Sequence, residues 1–255
     1  SVKSYPISIA WPPPHAQDAP GNQPCRSAVI KRHNLSETSL IAVGVERLDY
    51  TKGILERFLA VERMLDIHPQ WRGQFTMIQI AAPSRSKLDA YRQFRAHAFA
   101  EAERINNKFG ELANPPILVL ERHHSPAEVL EYLRAANVCL VTSLHDGMNL
   151  VAKEFVGARS DLGGVLILSM FAGASRELPE ALIVNPYNID QCAQAIDFAL
   201  QMPLAEQNRR MQSMREQIQQ FNVYRWAGRM LIDAAQVRKK EQLSREISEF
   251  RLQED

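Results

Sequence analysis

From Leu40 onward the chain alternates short, largely apolar runs with longer stretches whose apolar positions recur every three or four residues. The runs Leu40–Val45, Phe75–Ala81, Ile117–Leu120, Val138–Thr142, Val165–Ser169 and Ala181–Val184 have the length of strands and no polar face, as parallel strands buried on both sides do. Between them, Ile54, Phe58, Val61 and Leu65 predict a first helix, and Leu88, Tyr91, Ala98, Ala102, Ile105 and Phe109 a long second one. Further helices are predicted over Pro126–Arg134, Asn149–Ala158 and Ile189–Leu200, and Met211, Met214, Ile218 and Phe221 make another helical stripe. Strands alternating with helices imply right-handed βαβ units. The predicted fold class is α/β, a doubly wound, mainly parallel sheet with helices on both faces. The tail from Val237 reads as an amphipathic helix whose apolar positions Leu243, Ile247 and Phe250 need a surface to lie on.

The first forty residues break this rhythm. Ile7 and Ile9 fall on one face of a possible short strand within Ser1–Ala10. Trp11, three consecutive prolines and a Pro/Gly/Asn stretch to Pro24 predict a linker or interdomain loop without regular structure.

Composition narrows the function classes. With 255 residues, 45% of them hydrophobic and 23% charged, the chain matches a soluble globular protein that needs no disulfide or metal to fold. Thirty basic against 29 acidic side chains leave a formal charge of +1, which argues against nucleic-acid and membrane-surface partners. Cys25, Cys139 and Cys192 lack metal-ligand spacing and read as buried thiols. The longest apolar stretch, Gly163–Ala174, is too short to span a bilayer, and no signal-peptide pattern opens the sequence, so a cytoplasmic location is expected.

Ligands of doubly wound sheets bind beyond the carboxyl ends of the strands. Three segments there are chemically unusual. In Gly44–Gly53, Arg47 and Lys52 flank the turn from the first strand to the first helix, and Gly53 admits a close backbone approach. A diphosphate needs such a set: a guanidinium fork, a mobile ammonium and the amides of a helix start. The alternative pairs Arg47 with Glu46 or Asp49 and leaves Lys52 in solvent. Neither GxxxxGK[ST] nor GxGxxG occurs, which removes P-loop and ordinary dinucleotide readings.

The second segment, Leu144–Phe155, follows a predicted strand and opens a helix. The amides of Gly147, Met148, Asn149 and Leu150 would face the same space as Arg47. Asp146 suits sugar hydroxyls, and Glu154 suits a ribose diol. The alternative makes Asp146 a helix N-cap and Glu154 an exposed helix charge. In the third, Gln79–Arg85, Arg85 would bind a second anion or be hydrated. Adjacent His123 and His124 do not form a metal-ligand pattern, and no Asp-X-Asp or GxSxG motif is present.

GVERLDYTKG, QIAAPSR, ERINNKFG, LHDGMNLVAKEF, VLILSMFAGASREL and ALIVNPYNID stand in the order and spacing of the trehalose-6-phosphate synthase family, which the chain resembles from about Leu40 to Trp226. The resemblance implies one Rossmann-like domain of a GT-B architecture, the donor-binding half of a retaining glycosyltransferase. The reaction implied is glucosyl transfer from a nucleotide-glucose donor, UDP-glucose above others, to glucose 6-phosphate. Neither a cofactor nor a metal is implied. Arg47 and Lys52 match the diphosphate-binding pair and, with Asp146, form the expected catalytic set. Asp146 and the amides of Gly147, Met148, Asn149 and Leu150 match the loop holding the donor glucose and diphosphate, and Glu154 matches the ribose ligand. Ile80 and His124 correspond to backbone near the base, and Arg85 to the arginine reaching the acceptor's phosphate. The leaving diphosphate would accept the acceptor's proton on the face that glucose leaves, so positioning and charge neutralisation carry the reaction.

The family often has arginine where this chain has His145. Of its N-terminal domain, with a glycine-rich loop and most acceptor contacts, only the last strand leading out is resembled here, by Ser1–Ala10. The expected division is therefore a linker and remnant of the preceding domain over residues 1–39, a Rossmann-like nucleotide-sugar domain over 40–226, and a helical extension over 227–255. The N-terminal domain of the same enzyme is the expected partner. Glucosylglycerol-phosphate synthase, with glycerol 3-phosphate as acceptor, and a non-catalytic nucleotide-sugar sensor are the alternative functions.

Overall fold

The computed structural model describes residues 3–14, 20–84, 88–109 and 114–251, with side chains to Ser244. Six strands form one sheet: β1 (Leu40–Arg47), β2 (Phe75–Ala82), β3 (Ile117–Leu120), β4 (Val138–Val141), β5 (Val165–Ser169) and β6 (Leu182–Val184). They lie in the order β3-β2-β1-β4-β5-β6, and every pairing is parallel. The order reverses between β1 and β4, which opens a crevice at their carboxyl ends.

The described helices are α1 (Asn22–His33), α2 (Ile54–Ile67), α3 (Asp89–Lys108), α4 (Pro126–Ala135), α5 (Leu150–Ala158), α6 (Ile189–Gln201), α7 (Leu204–Gln220) and α8 (Val223–Arg251). Alternate strand residues feed two cores, because successive side chains of a strand point to opposite faces. Ile41, Val43, Ile78, Ile80, Cys139 and Val141 join apolar side chains of α1, α4, α5 and α7. Ala42, Met77, Val138, Leu140, Val165 and Ile167 join those of α2, α3 and α6 on the other face. The expected doubly wound, parallel sheet is therefore formed, with strand ends shifted by no more than two residues. The cysteines are buried and unpaired as expected.

Two expectations for the first forty residues are corrected. Residues 3–10 form no strand, since no described strand lies beside them. Their carbonyls are satisfied one at a time instead: Ile7 accepts from the Lys153 ammonium at 2.8 Å, Ile9 from the Val223 amide at 2.9 Å, and Tyr5 from the Trp226 indole at 2.9 Å. The stretch before residue 40 is also not all linker. It contains α1, whose Val29 and Ile30 enter the first core along with Leu35. Pro24 does not prevent this helix, because it occupies the first turn, where the backbone N–H has no intrahelical acceptor.

At the other end the helix predicted from Val237 begins at Val223, where the Asn222 side chain accepts from the Tyr224 and Arg225 amides at 3.0 and 3.1 Å. Tyr224, Leu231, Ile232 and Val237 on α8 stay exposed. No described helix is long and apolar enough to cross a membrane.

Candidate active site at the strand ends

Arg47 is the last residue of β1 and lies in register with Ala82 of β2. Asp49 then caps a single 3-10 turn, Tyr50–Lys52, by accepting from the Thr51 amide and hydroxyl at 3.0 and 2.9 Å. Burial pushes the Asp49 carboxyl up, but those two bonds and the charges of Arg47 and Lys52 outweigh it and hold it below the ordinary carboxylate range. Gly53 ends the turn in a left-handed conformation with φ of 65°, and a Cβ there would sit 2.1 Å from the Thr142 carbonyl oxygen. Only glycine meets both conditions. The two chemically unusual loops thus touch at Gly53 and Thr142.

They are bonded elsewhere as well. The Thr51 carbonyl accepts from the amides of Leu144 and His145 at 2.8 and 3.3 Å, and the Lys52 ammonium donates to Asp146 at 2.7 Å. The structure settles the alternative pairings raised by the sequence. Glu46 is taken by Arg57 and Asp49 by Thr51, and the Arg47 side chain forms no hydrogen bond or ion pair with a described residue. Lys52 is not solvated but paired. Asp146 is not the helix cap, because Asn149 fills that role by accepting from the Ala152 amide at 3.3 Å.

Asn149 also donates to Asp146 at 3.2 Å, and its φ of 71° turns the loop sharply into α5. The Asp146 carboxylate accepts from the Met148 amide at 3.4 Å, whereas the amides of Gly147, Asn149 and Leu150 bond no described residue. Free amides at a helix start, beside Arg47 and Lys52, favour an anion. A second backbone anchor holds this loop to the segment after β5. The Asp146 amide donates to the Phe171 carbonyl, the Asp146 carbonyl accepts from Gly173, and the Met148 carbonyl accepts from Ala174 at 2.8 Å.

Two hollows flank the start of α5. One, of about 840 Å³, is lined by His145, Asp146, Gly147, Met148, Met170 and Arg176, among others. The other, of about 590 Å³, is mostly apolar and is lined by Pro13, Val45, Val129, Leu130, His124 and Glu154, among others. Glu154 is open to solvent in this concave wall, yet enough protein surrounds its carboxylate for desolvation to raise its pKa. Burial lowers the pKa of His124 despite the bond between its Nδ1 and the Arg122 carbonyl. Ile80 is 3% exposed, and its side chain belongs to the core, so only its backbone faces the strand end. Arg85 lies outside the described residues. Among the described residues, no three His, Cys, Asp or Glu side chains converge as a metal-ligand set.

Sequence reasoning missed Arg57, a fully buried guanidinium beneath both loops. Two signals mark it in hindsight: an arginine on the apolar stripe of α2, and Gly44 inside a strand.

The sequence profile of Glycosyltransferase family 20 matches residues 1–236. Trehalose-6-phosphate synthase of Klebsiella pneumoniae subsp. pneumoniae is 42% identical over 96% of the chain and 51% of its own length. An E. coli structure bound with UDP-2-fluoro glucose superposes with a TM-score of 0.84 at 41% identity, covering 91% of this chain and 51% of that one. The UDP-forming alpha,alpha-trehalose-phosphate synthase of Burkholderia xenovorans, in complex with glucose-6-phosphate, gives 0.82 at 38% identity, again over 91% and 51%. The chain thus spans about half the length of these relatives. With the match running through both strand-end loops and nearly all of the chain, this protein belongs to glycosyltransferase family 20.

Proposed function

We propose that the chain is the donor-binding half of a retaining glycosyltransferase that moves glucose from UDP-glucose to glucose 6-phosphate, giving trehalose 6-phosphate. The observation that carries this reading is Arg47, a cation unpaired among the described residues, beside the Lys52–Asp146 pair and the free amides at the start of α5. Together they offer a diphosphate one guanidinium fork, one ammonium and several N–H donors. A bound diphosphate would compete with Asp146 for Lys52, releasing the carboxylate toward the glucose hydroxyls. The charge that develops on the leaving diphosphate is met by the protein's own cations, so no metal is required by this arrangement. Ribose lies against Glu154, and the base in the apolar hollow near the backbone of His124 and Ile80. Similarity to relatives bound with UDP-2-fluoro glucose and with glucose-6-phosphate supports this choice of substrates.

Arg85 is assigned to the acceptor's phosphate, with the remaining acceptor contacts supplied by an N-terminal Rossmann-like domain. In that division the residues before α1 lead from the other domain, α1 through α7 form the donor-binding domain, and α8 extends beyond it. The buried thiols suit a reducing cytoplasm.

Calorimetric titration of UDP in the presence of EDTA tests the reading. UDP is expected to bind, and Arg47→Ala should weaken it by about 1.5–3 kcal/mol, the value of a charge-assisted bond. Binding lost on chelation, or unaffected by the substitution, overturns it.

A further inference from the structure

Arg57 is 1% exposed, and each of its five N–H groups has an acceptor. Nε donates to Thr142 Oγ1 at 3.0 Å. Nη1 donates to Glu46 Oε2 at 2.7 Å and to Gln79 Oε1 at 2.6 Å. Nη2 donates to Glu46 Oε1 at 2.8 Å and to the Lys52 carbonyl at 3.4 Å. Gln79 is itself fixed, donating to the Gly44 and Ile80 carbonyls at 3.3 and 3.1 Å. Gly44 makes room for the guanidinium, since a Cβ there would lie 2.3 Å from Nη1.

The acceptors are the informative part. Glu46 immediately precedes Arg47, the Lys52 carbonyl belongs to the second cation of the site, and Thr142 opens the loop that carries Asp146. A single rigid fork therefore reaches the neighbour of Arg47, the backbone of Lys52 and the first residue of the loop that carries Asp146. Stability alone is a poor reason to keep this arrangement, because a buried ion pair replaced by packed apolar groups is often no less stable. A planar fork does what an apolar plug cannot: it fixes several chain segments at set distances and angles.

We propose that Arg57 is a positioning residue that holds Arg47 and Lys52 at the spacing a diphosphate requires. This deepens the donor reading and rests on it. Arg57 touches no ligand, and its effect passes through the two loops. Its loss should therefore weaken contacts to the diphosphate far more than those to the nucleoside in the apolar hollow, which Arg57 reaches only through Gln79 and the Ile80 carbonyl.

The experiment compares UDP and uridine binding to the 255-residue chain by calorimetry and ligand-observed NMR, with circular dichroism as the folding check. In Arg57→Lys, which keeps the charge but loses the fork, the Kd for UDP should rise roughly 10-fold while that for uridine stays within about 2-fold. Thr142→Val removes the Nε acceptor, together with the hydroxyl's long 3.5 Å bond to the Gly53 carbonyl, and should raise the UDP constant about 3-fold, again without moving uridine. It carries the test by itself if the lysine variant does not fold. Unchanged UDP binding in folded variants, or equal losses for UDP and uridine, overturns the proposal. If the unmodified chain binds no UDP, the donor reading itself fails, a result distinct from either.

Discussion

The two hollows beside α5 are built on opposite principles. On the proposed diphosphate side most charged groups are tied to a described partner: Lys52 to Asp146, Asp49 to Thr51, and Glu46 to Arg57 beneath them, whereas the Arg47 and Arg176 side chains are not. On the proposed nucleoside side the wall is mostly apolar, with Val45, Val129, Leu130 and Pro13 around three polar residues, Ser8, His124 and Glu154. A charged ligand part demands donors fixed before it arrives, because reorienting dipoles on binding would cost much of the gain. A flat, weakly polar part demands only shape and dryness. The polar half should therefore be intolerant of small geometric changes, and the apolar half should respond mainly to chemistry placed directly on the ligand.

The sharpest break of that contrast is Gly53→Ala. The left-handed backbone and the 2.1 Å approach to the Thr142 carbonyl penalise it twice. It should cost about 2–4 kcal/mol, combining conformational strain with overpacking. A denaturant midpoint that moves by less than a tenth of the original value would show that the two loops are not held in contact as described.

Next in size is Glu154→Gln. If the carboxylate grips a ribose diol, UDP should lose about 1–2 kcal/mol and its 2′-deoxy counterpart much less. Equal losses measured for the two nucleotides would return Glu154 to a helix-surface role.

The same variant gives the smallest effect, through pH. Desolvation raises the folded-state pKa of Glu154 above its ordinary value of 4.5. The group's contribution to stability is thus fully present below that ordinary value and is lost as pH rises through the raised one. Glutamine escapes this loss, so the variant should gain on the parent between pH 4 and pH 7. Because the side chain is open to solvent, the gain should stay below about 0.5 kcal/mol. Thermal melts at the two pH values check it, and a variant that loses ground with rising pH would reverse the sign.

The sheet was legible because its signal is local and redundant. Buried parallel strands are apolar on both faces, and Phe75–Ala82 and Val165–Ser169 declare themselves without reference to any neighbour. Helix α1 was not legible for the converse reason. It presents only Cys25, Val29 and Ile30 to the core among charged neighbours, and a proline-rich approach masks its start. Residues 3–10 misled in the other direction, since alternation at Ile7 and Ile9 mimics a strand, whereas a strand needs a partner edge that no local pattern supplies.

Site residues divide in the same way. Arg47, Lys52, Asp146 and Glu154 were legible as candidates because they end a strand, follow one, or lie on the helix after one, and strand ends are where such folds bind ligands. The sequence by itself thus determined the α/β class, the strand-end loops and the chemical types they carry. Which charge answers which was decided only by the tertiary structure. Glu46 neighbours Arg47 in the chain but bonds Arg57, and Lys52 reaches Asp146, 94 residues away. Successive residues of a strand point to opposite faces, so Glu46 turns down into the core while Arg47 stays exposed at the strand end. Pairing is a matter of distance across the folded sheet, and spacing along the chain does not encode it.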